Sequence, residues 1–240
     1  MSEMFIAFVL LLAVLVAAVV MHFSPVGVRT STATVLAAWV GYATVLGSLG
    51  PQFLPAAFSP MPMLLALPAI GLVMFCARSR FGGQLADAIP AYIFMGLESY
   101  RIVVEVALHE LSVIGLVPKM LTYEGSNFDV LIGMSAPVVA WLLATKRLVA
   151  RGAIAWNLIG IGMVANVAVR SILTTPGPTH LIDTEIANRA VSLFPYTFIP
   201  GFLAPLAVLL HVLAIRGLRS TKSQSVVNRQ PSIPLAPLEE

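Results

Sequence analysis

Most of the charge in this chain is confined to short connections between long apolar blocks, and that pattern limits the possible folds severely. Seven blocks can be traced, at about residues 4–21, 31–49, 61–77, 86 or 90 to 117, 130–145, 153–173 and 196–215. A helix needs about 20 apolar residues to cross a hydrocarbon core, and each block is close to that length. Only 10% of the 240 residues are charged and 58% are hydrophobic. A soluble domain carries about 25% charged residues, so this chain cannot cover a water-facing surface. A membrane barrel would show short alternating segments, which are absent. The expected fold is therefore all-α: an integral membrane bundle of about seven transmembrane helices over residues 1–219, whose main partner is the lipid bilayer. A disordered cytoplasmic tail is expected over residues 220–240. The first block is expected to be retained as a helix, since Met1-Ser2-Glu3 carries no basic n-region and no small-x-small cleavage site follows.

The connections also set an orientation. With seven helices and the N-terminus outside, one set of loops holds ten basic residues. They are Arg29, Arg78, Arg80, Lys146, Arg147, Arg151, Arg216, Arg219, Lys222 and Arg229. The opposite set holds Lys119 and Arg189 alone. The basic side faces the cytoplasm, so the C-terminus is expected there. The net charge of +3 is too small to imply nucleic acid. The single cysteine, Cys76, excludes an intramolecular disulfide and reads as a packed or lipid-facing residue. Oligomeric state is not legible.

The fourth block breaks the apolar pattern. At 100° per residue, Glu98, Arg101, Glu105 and His109 share one narrow stripe of a helix. Ionisable groups in a span cost several kcal/mol unless paired or wet, and they normally face the bundle interior. Two readings follow. One is a salt-bridge ladder, Glu98–Arg101–Glu105, that locks packing. The other is a polar cavity for a solute, proton or metal.

The segment Lys119–Asp129 follows on the outer side. Gly125 and Asn127 are turn residues, and Asp129 is placed to cap the fifth helix. It reads either as a tight turn or as a loop over the mouth of the stripe, to which Thr122, Tyr123, Glu124 and Asn127 would contribute. In the sixth block Asn166 and Arg170 stand four apart on one face. Arg170 either snorkels to the interface or serves as counter-charge to Glu105, Glu124 or an anionic ligand. The residues expected to bind are Glu98, Arg101, Glu105, His109, Glu124, Asn127, Asn166 and Arg170.

Glu105 and His109 have the spacing of two metal ligands on one face, with Glu124, Asp129, His180 or Asp183 as a third. Without a second His on that face or an H-E-x-x-H pattern, no metal site is expected. His22 and His211 would be the pair for a bis-histidine haem, but isolated helix histidines read as hydrogen-bonded packing residues. The seventh block has no Lys for a Schiff base, and nucleotide-binding and nucleophile-elbow motifs are absent. No cofactor is expected.

The run Glu98-x-x-Arg101-x-x-x-Glu105 and the run Met120–Asp129 resemble bacterial multi-pass membrane proteins of uncharacterised families. The resemblance covers the middle third of the chain, implies a bacterial inner-membrane source, and names no activity. Handling of a small polar solute, by transport or sensing, is the preferred expectation. A membrane enzyme with Glu105 or Glu124 as general acid/base, acting on lipid or a small molecule with or without a metal, is the alternative. A scaffold subunit is a third.

Overall fold

The computed structural model describes residues 2–53, 61–177 and 179–227, and every regular element among them is helical. The expected apolar blocks all form helices, with informative differences at their ends. Helices α1 (Ser2–Phe23) and α2 (Val26–Phe53) are separated by Ser24 and Pro25 alone. α2 thus begins five residues before the expected Ser31. The Pro25 carbonyl accepts the amides of Val28 and Arg29 at 3.0 and 3.1 Å, so the proline opens the helix. Residues 54–60 and Pro178 lie outside the described residues.

Helix α3 (Met61–Arg78) bends by 73° into a short α4 (Arg80–Ala88), a helix absent from the sequence reading. Ser79 caps it, its hydroxyl accepting the Gly82 amide at 3.1 Å. The bend is sealed by Arg216, which donates to the carbonyls of Cys76 and Ser79 at 2.5 and 3.1 Å. The expected fourth helix is a rod in two parts. α5 (Ala91–Leu97) and α6 (Arg101–Val113) are joined by one 3₁₀ turn at Glu98–Tyr100. It ends at Val113 rather than near Val117, because Gly115 turns left-handed with φ +75°.

Helices α7 (Asp129–Ala144) and α8 (Ala150–Thr174) follow. The connection between α8 and the π turn is irregular among the described residues apart from a 3₁₀ turn at Ala190–Ser192. A π-helical turn, Ile199–Leu203, leads into α9 (Ala204–Val227), which continues past the polar residues at which the tail is expected to begin. Residues 228–240, with Arg229, lie outside the described residues.

Three segments are long and apolar enough to cross a membrane: α1, α8 and Ile199–Ser220. They become four if α3 and α4 form one broken span. Their burial differs greatly. Within the most apolar stretch, 72% of Ile199–Ser220 is buried, against 22% for α1 and for α8. α9 is therefore the axis of the bundle, with α3, α4, α5 and α8 packed around it. The outer helices turn Leu10, Leu11, Val14, Leu158 and Ile159 to the exterior, a surface suited to lipid.

Two prolines inside helices leave carbonyls without a helical donor, and α2 answers both. Pro68 has no N–H for the carbonyl of Leu64, and Tyr42 Oη donates there at 2.7 Å. Pro205 likewise cannot serve Gly201, whose carbonyl accepts the Trp39 indole N–H at 2.6 Å. A buried backbone acceptor must be satisfied internally, so the buried Trp39 binds α2 into the core.

Candidate functional site

The stripe on the fourth rod faces inward. Glu98, Glu105 and Arg101 are 0%, 2% and 3% exposed, while His109 is half-buried at the rod's end. The 3₁₀ turn brings Glu98 and Arg101 into register, because residues three apart eclipse in that geometry. Arg101 Nη1 lies 3.6 Å from Glu98 Oε2.

The other half of the expected ladder is replaced. Arg101 Nη2 meets Asp129 Oδ1 at 2.5 Å, whereas Glu105 Oε1 accepts a hydrogen bond from Asn127 Nδ2 at 2.7 Å. Asp129 is the first residue of α7 but makes no side-chain cap there. Its carboxylate is turned to the arginine. Gly133 permits this approach: a Cβ at that position would lie 2.9 Å from the Ile102 side chain and 3.0 Å from its backbone nitrogen. α7 thus runs close enough to α6 for its first turn to reach Arg101.

His211 from the axial helix completes the cluster. Its Nδ1 bonds Asn157 Oδ1 at 2.9 Å and its Nε2 bonds Arg101 Nη1 at 3.2 Å. The polarity of this chain can be assigned. Asn157 Nδ2 donates to the Ala153 carbonyl at 2.8 Å, so its Oδ1 is an acceptor. His211 Nδ1 must then donate, and Nε2 accepts from the guanidinium, which makes the imidazole neutral. Glu98 Oε1, 3.6 Å from Nε2, is beyond hydrogen-bond range. Gly160 on α8 makes room for the ring, because a Cβ there would fall on the imidazole.

Asn127 is similarly determined. It donates to Glu105 and to the Leu121 carbonyl at 3.0 Å, and its Oδ1 accepts the Asp129 amide at 2.9 Å. The segment Lys119–Asp129 therefore folds down onto the stripe and supplies two of its partners. It is held by Asn166, which donates to the Ser126 carbonyl at 3.2 Å. Arg170 donates to Asn166 Oδ1 at 2.9 Å. The carboxylates for which it was a candidate partner have other neighbours. Glu124, half-exposed, pairs with Lys119 at 3.0 Å and lies 3.9 Å from His109, whose ring stacks on Tyr123. The Lys119 ammonium holds the Glu124 carboxyl below its ordinary range, first through the hydrogen bond and then through its charge.

The expected residues thus fall into two groups. Glu98, Arg101, Glu105 and Asn127 form the buried centre. His109 and Glu124 form an outer cluster, with Asn166 and Arg170 bracing the loop. Sequence reasoning missed the roles of Asp129, His211 and Asn157. The first resembled a cap and the second a packing residue, and no spacing links either to the stripe. Glu105 and His109 diverge to different partners. No group of three or more His, Cys, Asp or Glu side chains is placed to hold a metal ion among the described residues.

A cavity of about 440 Å³ adjoins the cluster, within the range for a small-molecule pocket. Arg101, Glu105 and Asp129 stand at its wall together with Asn188, and the rest is mainly apolar side chains of α8, the π turn and α9.

A model for a domain of unknown function, DUF8737, matches residues 58–219. The chain belongs to that family. The match includes both faces of the charge cluster and begins after α1 and α2. No curated protein and no solved structure matches the chain.

Proposed function

We propose that this DUF8737 chain is a multi-pass protein of the bacterial inner membrane whose buried charge cluster takes up a small charged solute, in transport or in sensing. Seven crossings, with the N-terminus outside and the C-terminus in the cytoplasm, agree with ten basic residues in one set of loops and two in the other. The reading rests on one observation. Three carboxyl groups, Glu98, Glu105 and Asp129, share a buried centre with one cation, Arg101, since His211 is neutral. A pure packing ladder would balance its charges, because an uncompensated buried ion costs several kcal/mol. The surplus calls for protons or a cationic solute, so the cluster is suited to exchange them.

The test is proton uptake by the purified full-length protein between pH 5 and pH 8. The reference is a variant in which Glu98, Arg101, Glu105 and Asp129 are all apolar. Replacement of the whole group keeps packing and removes every charge, so this variant is expected to stay folded. The wild type is expected to take up about one proton more than the reference. Equal uptake by two folded proteins would identify the cluster as a locked structural pair. Proton flux into reconstituted vesicles then separates transport from sensing.

A further inference from the structure

Three buried acceptors at the cavity wall have no hydrogen-bond partner; Asp129 Oδ1 faces the Arg101 guanidinium, which leaves Glu105 Oε2 and Asn188 Oδ1. Both residues are almost fully buried, at 2% and 0% exposure. Their orientations are set by other bonds. Asn127 engages the opposite Glu105 oxygen. Asn188 Nδ2 donates to the Ser171 carbonyl at 3.3 Å and to its hydroxyl oxygen at 2.8 Å, leaving Oδ1 as the free acceptor. An unsatisfied buried acceptor costs about 1–3 kcal/mol, so two on one cavity call for a ligand that donates.

The shape and charge narrow the class. Along α8 the lining runs from Ile161 to Ile172, which at about 1.5 Å per residue is roughly 16 Å. The walls between are Val, Ala, Ile and Leu, so the body of the ligand is apolar and elongated. An anionic head would lie among three carboxyl groups, Glu98, Glu105 and Asp129, and Arg101, although its Nε has no hydrogen-bond partner, already faces Glu98, Asp129 and His211. We propose that the cavity binds an elongated amphiphile with a primary ammonium head, donating to Glu105 Oε2 and Asn188 Oδ1. This proposal rests on the reading of the cluster as a cation-exchanging site and names its substrate class.

The probe is tritiated n-octylammonium, added to the full-length protein in phosphatidylcholine nanodiscs. Saturable, stoichiometric binding above the uptake of empty discs is expected. Octyltrimethylammonium has the same charge and chain but no N–H donor, and should compete at least tenfold less well. Octanoate should not compete. Glu105→Gln, close to isosteric, should weaken binding at least tenfold, and Ala168→Phe, which fills the cavity away from the charges, should abolish it. Phosphatidylethanolamine added to the discs identifies the source of the ammonium. Loss of octylammonium binding would assign the site to an aminolipid, and unchanged binding to a free amine. Binding of octanoate or octyltrimethylammonium equal to that of octylammonium, or indifference to Glu105→Gln in a folded protein, would overturn the proposal. If proton uptake by the cluster persists while no amine binds, the substrate class fails and the cation-exchange reading stands. Absence of both removes both.

Discussion

At the scale of single residues the cluster is sensitive to substitutions that look mild. Gly160→Ala adds one methyl group, but that methyl would fall on the His211 ring. The imidazole must move, breaking its bonds to Asn157 and Arg101. Overpacking of this kind costs about 1–3 kcal/mol, so a lower unfolding midpoint is expected, with a changed His211 resonance in a folded sample. An unaltered His211 signal would refute the placement. Arg101→Met should be more harmful, because it leaves three carboxyl groups without a cation, and breaking one side of a buried pair costs about 3–5 kcal/mol. Adding Asp129→Leu and Glu98→Met to Arg101→Met should recover most of that loss in a denaturation assay. Outside the buried region the pH response is simple. The Glu124 carboxyl is depressed by Lys119. Its contribution is therefore present above the unfolded value and is lost as the pH falls through the folded one. Lys119→Met should move the Glu124 titration upward by carbon-detected NMR, and an unmoved midpoint would remove Lys119 as the cause.

At the scale of elements, the helices are held by the repair of their own irregularities. α3 and the segment leading into α9 both carry prolines, and α2 supplies the missing donors through Tyr42 and Trp39. Trp39→Phe keeps most of the apolar volume and orphans the Gly201 carbonyl, with an expected cost of about 1–3 kcal/mol. Pro205→Ala restores an amide N–H four residues beyond Gly201. The double variant should therefore lose less stability than the sum of the two single changes. Simple additivity in thermal unfolding would show that the indole bond does not answer the proline. The 3₁₀ turn at Glu98–Tyr100 has a similar position in the design. It lies mid-rod, Tyr100 Oη donates to the Leu203 carbonyl at 2.5 Å, and Glu98 and Arg101 are aligned across it.

For the whole molecule, the boundary of the family match is informative. Residues 58–219 contain the cluster and the cavity, yet the donors for Leu64 and Gly201 lie on α2, before the match begins. The matched region is accordingly expected to be less stable alone than with α2 attached. Comparison of the full chain with residues 58–219 in the same detergent checks this. Topology is tested separately with reporter fusions after Arg219 and within residues 51–60. The first should be active in the cytoplasm and the second outside. A tail found outside would invert every depth assigned from the loops.

Helix-forming blocks, an exterior suited to lipid and an inward-facing stripe of Glu98, Arg101 and Glu105 were all determined by the sequence alone, because each depends on local quantities. Hydropathy over about 20 residues decides what can lie in lipid, and a rotation of 100° per residue decides which side chains share a face. The tertiary structure decided which partners those side chains take. Asp129 displaced Glu105 at Arg101 because α7 approaches closely at Gly133, and His211 entered because Gly160 leaves space for its ring. It also placed Asn127 on Glu105, and Asn188 on the same cavity as Glu105. These pairings join residues 22 to 110 positions apart. No periodicity reaches that far, and buried charges settle with whichever groups packing brings within hydrogen-bond range.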